Sequence, residues 1–242
     1  MIRRLFGVLA ALPLVAAAAT PDFSGFWMLE RKQIDPDPEL APHVAPNTAV
    51  LRDTGAAEFG LMEFGGLKLK PKTLEAAKNW NPKAEMSVSN ACRIPSIVYA
   101  LQGPFPIEIF QGSDILVMRM EYFDMARTFF FNKRFAMPPD APHTKTGNSI
   151  AHWEGDQLVV VTTHLKSATI TNNGLDHTDN VKVIERFRLA NGGKRLIASQ
   201  EFEDPEILYN RGVRYISWYK VEGDHVTAYD CDPGIAENYA TQ

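Results

Sequence analysis

Residues 181–203, VKVIERFRLANGGKRLIASQEFE, read as two strands joined by a tight turn. Val181, Val183, Glu185, Phe187 and Leu189 alternate with Lys182, Arg186 and Arg188. Successive strand side chains point to opposite sides of a sheet, so this alternation marks a strand with one buried face. Asn-Gly-Gly at 191–193 supplies residues that accept the positive φ of a hairpin turn.

The same grammar repeats in both directions. PIEIF turns at QGSD into ILVMRMEYF; ARTFFFNKRF turns near Asn132; SIAHW turns at EGDQ into LVVVTTHL; VRYISWYKV turns at EGDH into VTAYDC. Far upstream, PDFSGFWML at 21–29 fits a first strand. Eight or nine antiparallel strands in chain order form a meander, and closing it into a barrel is the simplest way to remove its edges. The expectation is a mainly β, lipocalin/calycin-like barrel with one short helix at Pro71–Pro82, where Pro and Thr precede good helix formers. The proline-rich DPDPELAPHVAPN at 35–47 excludes a helix interior or central strand and reads as a long loop.

The first nineteen residues carry Arg3 and Arg4, an apolar run over Leu5–Val15 and small residues to Ala19. That layout predicts a signal peptide over 1–19 and a single barrel domain over 20–242, periplasmic or secreted, with no membrane insertion after cleavage. The net charge of −4 and the lack of a basic run argue against nucleic acid as a partner. Cys92 and Cys231 lie in no metal-ligand or CxxC spacing, and an oxidising compartment favours a disulfide between them.

Glu185 stands out because a carboxylate on an apolar strand face is costly unless paired or protonated. Two readings follow: a buried Arg/Glu pair that fixes strand register, or an acid/base group in a lumen. Arg119 and Glu121 share a strand face with Ile115 and Val117 in the same manner. His177 in NNGLDHTDN has Asp176 and Asp179 beside it, and an Asp can orient a His for proton transfer. Trp153 reads as a core or barrel-rim anchor, while Glu154, Gly155 and Asp156 are turn chemistry. Ser149 lacks the GxSxG elbow, no glycine-rich phosphate loop occurs, and His143, His152, His164 and His177 show no ligand spacing. No metal or cofactor is expected.

GNSIAHWEGDQLVVVTT, GLDHTDNVKVIERFRL and EDPE, with CRIPSIVYALQGPFPIEIFQ and ARTFFFNKRF upstream, resemble a large family of uncharacterised secreted bacterial proteins. Its pattern runs approximately Gly-His-Ser-Ile-x-x-Trp-Glu-Gly-Asp-Thr-Leu-Val-Val-Asp-Thr, and the resemblance covers most of residues 90–206. Asn148, Gln157 and Val161 stand where that pattern has His, Thr and Asp, whereas His177 matches its second His. The resemblance implies a shared fold and carries no assigned chemistry.

Two functions are compatible with these residues. One is a cofactor-independent lyase, hydratase or isomerase acting on a hydrophobic or aromatic small molecule in an aromatic-lined lumen. His177 would transfer the proton and Glu185 or Glu121 would be its counterpart. Arg127 and Asn148 would hold a substrate oxygen, with Arg119 and Trp153 completing the substrate-binding set. The other is a carrier that uses the same lumen without chemistry.

Overall fold

The computed structural model describes residues 20–32, 34–54, 58–85 and 87–237; the expected signal peptide lies outside them. Twelve strands are formed among the described residues: β1 (Gly25–Leu29), β2 (Thr48–Val50), β3 (Ile107–Gln111), β4 (Ile115–Met120), β5 (Met125–Phe130), β6 (Asn148–Glu154), β7 (Gln157–Thr163), β8 (Ala168–Thr171), β9 (Leu175–His177), β10 (Lys182–Ala190), β11 (Arg195–Glu203) and β12 (Arg211–Val221). Nine of them close a barrel in the order β1-β3-β4-β5-β6-β7-β10-β11-β12, with β1 hydrogen-bonded to both β3 and β12. Trp27 of β1 lies opposite Ile107 on one side and Lys220 on the other. The hairpin that decided the fold forms as expected, with Glu185 opposite Gln200 and Asn191, Gly192 and Gly193 at φ of 52°, 63° and 83°.

Three departures from the meander have physical causes. The β5–β6 joint is parallel, Phe129 opposite Ser149, so the chain from Phe131 to Gly147 must return along the barrel before β6 begins. VTAYDC is no strand: the closed ring leaves it no edge, and side-chain carboxylates take its backbone N–H groups instead. Glu108 accepts from Val226, Glu121 from Thr227 and Asp124 from Tyr229. Part of the loop around His177 folds into a ribbon, β8 paired with β9.

The one short helix expected at Pro71–Pro82 forms as α1 (Pro71–Lys78), opened by proline, and a four-residue turn, α2 (Pro82–Glu85), follows it. A third helix, α3 (Ile97–Ala100), was not anticipated, because Ile97, Val98 and Tyr99 are strand-favouring residues in a segment too short for a helical period. Ser96 caps it, its hydroxyl accepting the Val98 N–H, and all four of its residues are buried.

The side chains that face into the barrel are buried against one another. Trp27, Met118, Phe129, Val160, Phe187, Leu196 and Trp218 form one cluster with Ile97, Val98 and Leu101, every member at most 1% exposed. The barrel interior is filled by side chains, as in other small closed sheets. Gly212 is required by this packing: a Cβ there would lie 2.4 Å from the Phe202 ring.

A polar layer crosses the packed core. Arg127 meets Glu185 through Nη1–Oε1 at 3.0 Å and Nη2–Oε2 at 2.5 Å, both side chains fully buried. Gln200 donates to Glu185 Oε1 at 3.0 Å and to the Ile97 carbonyl at 3.1 Å. Arg127 also donates to Thr162, whose hydroxyl meets Ser149 at 2.8 Å. Glu185 is therefore half of a register-fixing pair, the first of its two sequence readings. Arg119 and Glu121 have no part in it: their face of β4 is the outer one, where Ile115 is 40% exposed. Arg119 pairs with Glu108 at 3.7 Å, and Glu121 straps Thr227 by its N–H and hydroxyl.

Removing one partner of a buried pair strands the other charge, which typically costs about 3–5 kcal/mol. Arg127→Met should lose stability of about that size in urea denaturation, and adding Glu185→Leu should recover most of it. A single-variant loss below about 1 kcal/mol would show that the pair does not hold the register.

Candidate functional site

His177 is buried at the end of β9, not displayed on a loop. Its Nδ1–H donates to the Thr178 carbonyl at 2.8 Å, which leaves Nε2 to accept from the Ser96 hydroxyl at 2.6 Å. Both ring nitrogens are thus engaged, and the Nε2 bond ties the Ser96 cap of α3 to β9. Burial is the main cause that pushes the His177 pKa below its ordinary value, outweighing the Thr178 carbonyl and the neighbouring Asp204 and Asp176 charges. The flanking carboxylates do other work: Asp179 accepts the Ser167 N–H, and Asp204 accepts the N–H and hydroxyl of Thr178.

The other candidates are also structural in their contacts. Asn148 accepts the Met137 N–H at 3.1 Å and donates to the Phe135 carbonyl at 3.2 Å, fixing the connection that returns to β6. Trp153 packs against Phe23 and Phe131, with ring centroids 5.5 and 6.1 Å away, as the rim anchor its position suggested. His152 meets Glu154 at 2.9 Å, and His143 and His164 lie 5.3 Å apart ring to ring. Among the described residues no group of three His, Cys, Asp or Glu is arranged to hold a metal ion.

The concave surface with the richest chemistry is instead outside the barrel wall. A cleft of about 240 Å³ is lined by Pro95, Tyr99, Tyr122, Phe123, Tyr229 and Ile235, among others. Phe123 and Tyr229 stack at 4.7 Å, and Tyr122 meets Phe123 and Tyr229 edge-on at 4.7 and 5.6 Å. The ring of Phe123 arrives through a strained turn: Phe123 and Asp124 both take left-handed φ, 55° and 51°. Such a conformation costs roughly 1–2 kcal/mol per non-glycine residue. Asp124 Oδ1 accepts the Tyr229 N–H at 3.0 Å, so the same turn that bears the strain holds the opposite wall.

Tyr99 donates its hydroxyl to Glu58, which also accepts from Asn172 at 2.8 Å. Burial raises the Tyr99 and Tyr122 phenols well above their ordinary pKa, reinforced by Glu58 at Tyr99 and by Tyr229 at Tyr122, so both stay neutral. A smaller pocket of about 50 Å³ continues the cleft past Trp80 and Gly174, and the two share Arg93, Thr169 and Asn172. Gly174, at φ +93°, lets Trp80 lie directly on its backbone; a Cβ would come within 2.4 Å of the indole.

The Cys92–Cys231 disulfide, Cα–Cα 5.9 Å, joins the two walls. Ala91 and Arg93 flank one cysteine on the first wall, and Tyr229 and Ile235 follow the tail that carries the other. Alternation does not mark these groove residues: Tyr122 and Phe123 end the strand-like run ILVMRMEYF, and Tyr229 sits in VTAYDC, which forms no strand. No protein-family model matches the chain, and no curated protein matches it.

Two measurements follow. His177 has a folded pKa below its unfolded value of about 6.5, so the unfolded state binds more protons as pH falls. Its contribution is complete above the unfolded pKa and declines as pH drops from there through the folded pKa. Denaturation at pH 7.5 and 5.5 should show the loss, and His177→Gln should flatten that part of the profile. Replacing both cysteines by serine should lower stability by about 2–4 kcal/mol by calorimetry or denaturant, the usual range for a long-loop disulfide.

Proposed function

We propose that the protein is a non-catalytic binding protein for a hydrophobic, ring-bearing small molecule, held in the aromatic cleft between Tyr99, Tyr122, Phe123 and Tyr229. The cleft itself carries this reading: its stacked and edge-on rings line about 240 Å³ at the surface, while the aromatic side chains of the barrel core are buried among one another. An apolar cavity of about 150 Å³ takes benzene, so this volume suits one substituted ring. Aromatic walls offer both faces and edges for stacking, and neutral phenols supply polar contacts without the cost of desolvating a charge.

The enzyme reading needs His177 and Glu185 to reach a substrate, and both are buried with their polar atoms engaged. A periplasmic or secreted location accords with the disulfide; among the described residues no helix is long and apolar enough to cross a membrane. Native mass spectrometry of the protein from its own extracytoplasmic fraction tests the proposal. A co-purifying organic mass should be present in the wild type and absent in Tyr229→Ala. Turnover of any member of a substrate panel, abolished by His177→Ala or Glu185→Gln with binding intact, would restore the enzyme reading instead.

A further inference from the structure

We infer a second site, independent of the aromatic cleft: a pocket beside the start of β12 that takes a neutral sugar ring, its C–H face on Tyr209. The pocket holds about 190 Å³ and is lined by Pro46, Asn47, Glu203, Pro205 and Tyr209, among others. Tyr209 is 62% exposed, yet its backbone is fixed. Its N–H donates to the Lys68 carbonyl at 2.8 Å, and the neighbouring Asn210 side chain spans the Lys68 N–H and the Gly66 carbonyl. Lys70 stands over the Tyr209 ring at 5.6 Å but does not line the pocket, so the side of the ring turned to the pocket is clear of the ammonium.

Open hydrogen-bonding groups surround that ring. Among the described residues, nothing bonds the Tyr209 hydroxyl or the Asn47 side-chain amide, and Arg211 meets Glu203 through Oε2, which leaves Oε1 open. The turn that presents Asn47 is tied down: Ala45 donates its N–H to Glu201 at 3.2 Å and the Thr48 hydroxyl donates to the Ala45 carbonyl at 2.7 Å. The formal charges around the pocket are already matched within the protein. Arg211 is divided between Glu201 and Glu203, while Asp204 accepts the Thr178 N–H and hydroxyl and the Glu206 N–H. An ionic ligand finds no unpaired counter-charge here, and the cost of desolvating its charge is not offset. A neutral ligand with one apolar face and a polar edge meets every open group. A pyranose has that form: its axial C–H groups pack on the negative face of an aromatic ring, and its hydroxyls both donate and accept. A cavity of about 150 Å³ takes benzene, so about 190 Å³ suits one such ring.

Saturation-transfer NMR titrations of the full mature chain, disulfide intact, test this at pH 6.5 with methyl α- and β-glucopyranoside, glucosamine and glucuronate. The methyl glucosides should receive saturation, most strongly at the axial protons of one ring face, and should bind at least fivefold tighter than the two charged sugars. Tyr209→Ala should abolish the transfer with its urea midpoint unchanged. Tyr209→Phe and Asn47→Ala should each weaken binding about two- to tenfold, the range of one neutral hydrogen bond. Tyr229→Ala, in the aromatic cleft, should leave sugar binding as it is. No transfer to either methyl glucoside, or transfer that survives Tyr209→Ala, would overturn the site. A charged sugar that binds as tightly as the glucosides would overturn the neutral assignment. Sugar binding lost in Tyr229→Ala and kept in Tyr209→Ala would overturn the independence of the two sites.

Discussion

Arg214 is the constraint on which the interior depends. Its guanidinium is fully buried, meets Asp53 through Nε–Oδ1 at 2.9 Å and Nη2–Oδ2 at 2.6 Å, and donates to the carbonyls of Val98 and Ile170. One side chain on β12 thereby fixes α3, the β8–β9 ribbon and the loop carrying Asp53. It continues the row begun by Glu185 and Gln200, which are opposite one another on β10 and β11, with Gln200 opposite Arg214 on β12. Buried ion pairs contribute little net stability because desolvation offsets their attraction. Their effect here is to specify arrangement: Gln200 and Arg214 reach the carbonyls of Ile97 and Val98 only when α3 occupies its place.

The same row places the outer cleft: by bonding the Ile97 and Val98 carbonyls it holds Tyr99 of α3 at the cleft wall. The cleft is then completed by the 222–237 tail, which has no strand partners and is held by carboxylates from the β3–β5 region and by the disulfide. Sheet and strapped tail together hold the cleft walls in place, so the binding proposed there would cost little ordering of the walls.

The strand pattern was legible because alternation is a local property: each strand declares its two faces within six or seven residues. Glu185 also declared itself, as a charge on an apolar face, and the disulfide followed from compartment and spacing. The partner of Glu185 did not, since Arg127 is 58 residues away and meets it only across the closed ring; Arg119, with similar neighbours, points outward. Alternation carries no strand direction, so the parallel β5–β6 joint was invisible. The site was least legible of all, because its residues lie past strand ends, where position is set by a strained turn, a capped four-residue helix and carboxylate straps.

The parallel joint gives the barrel a grain. Only Phe129–Ser149 and Phe130–Ile150 are registered across it, whereas β10 and β11 are registered over nine pairs. The other eight joints of the ring register between three pairs, at β1–β3, and nine, so the parallel joint is the shortest in the wall, and Asn148 ties the connection leading into it. With two registered pairs this joint has the fewest backbone bonds to break of any in the ring, and it lies between the strands that carry Arg127 and Ser149 of the polar layer.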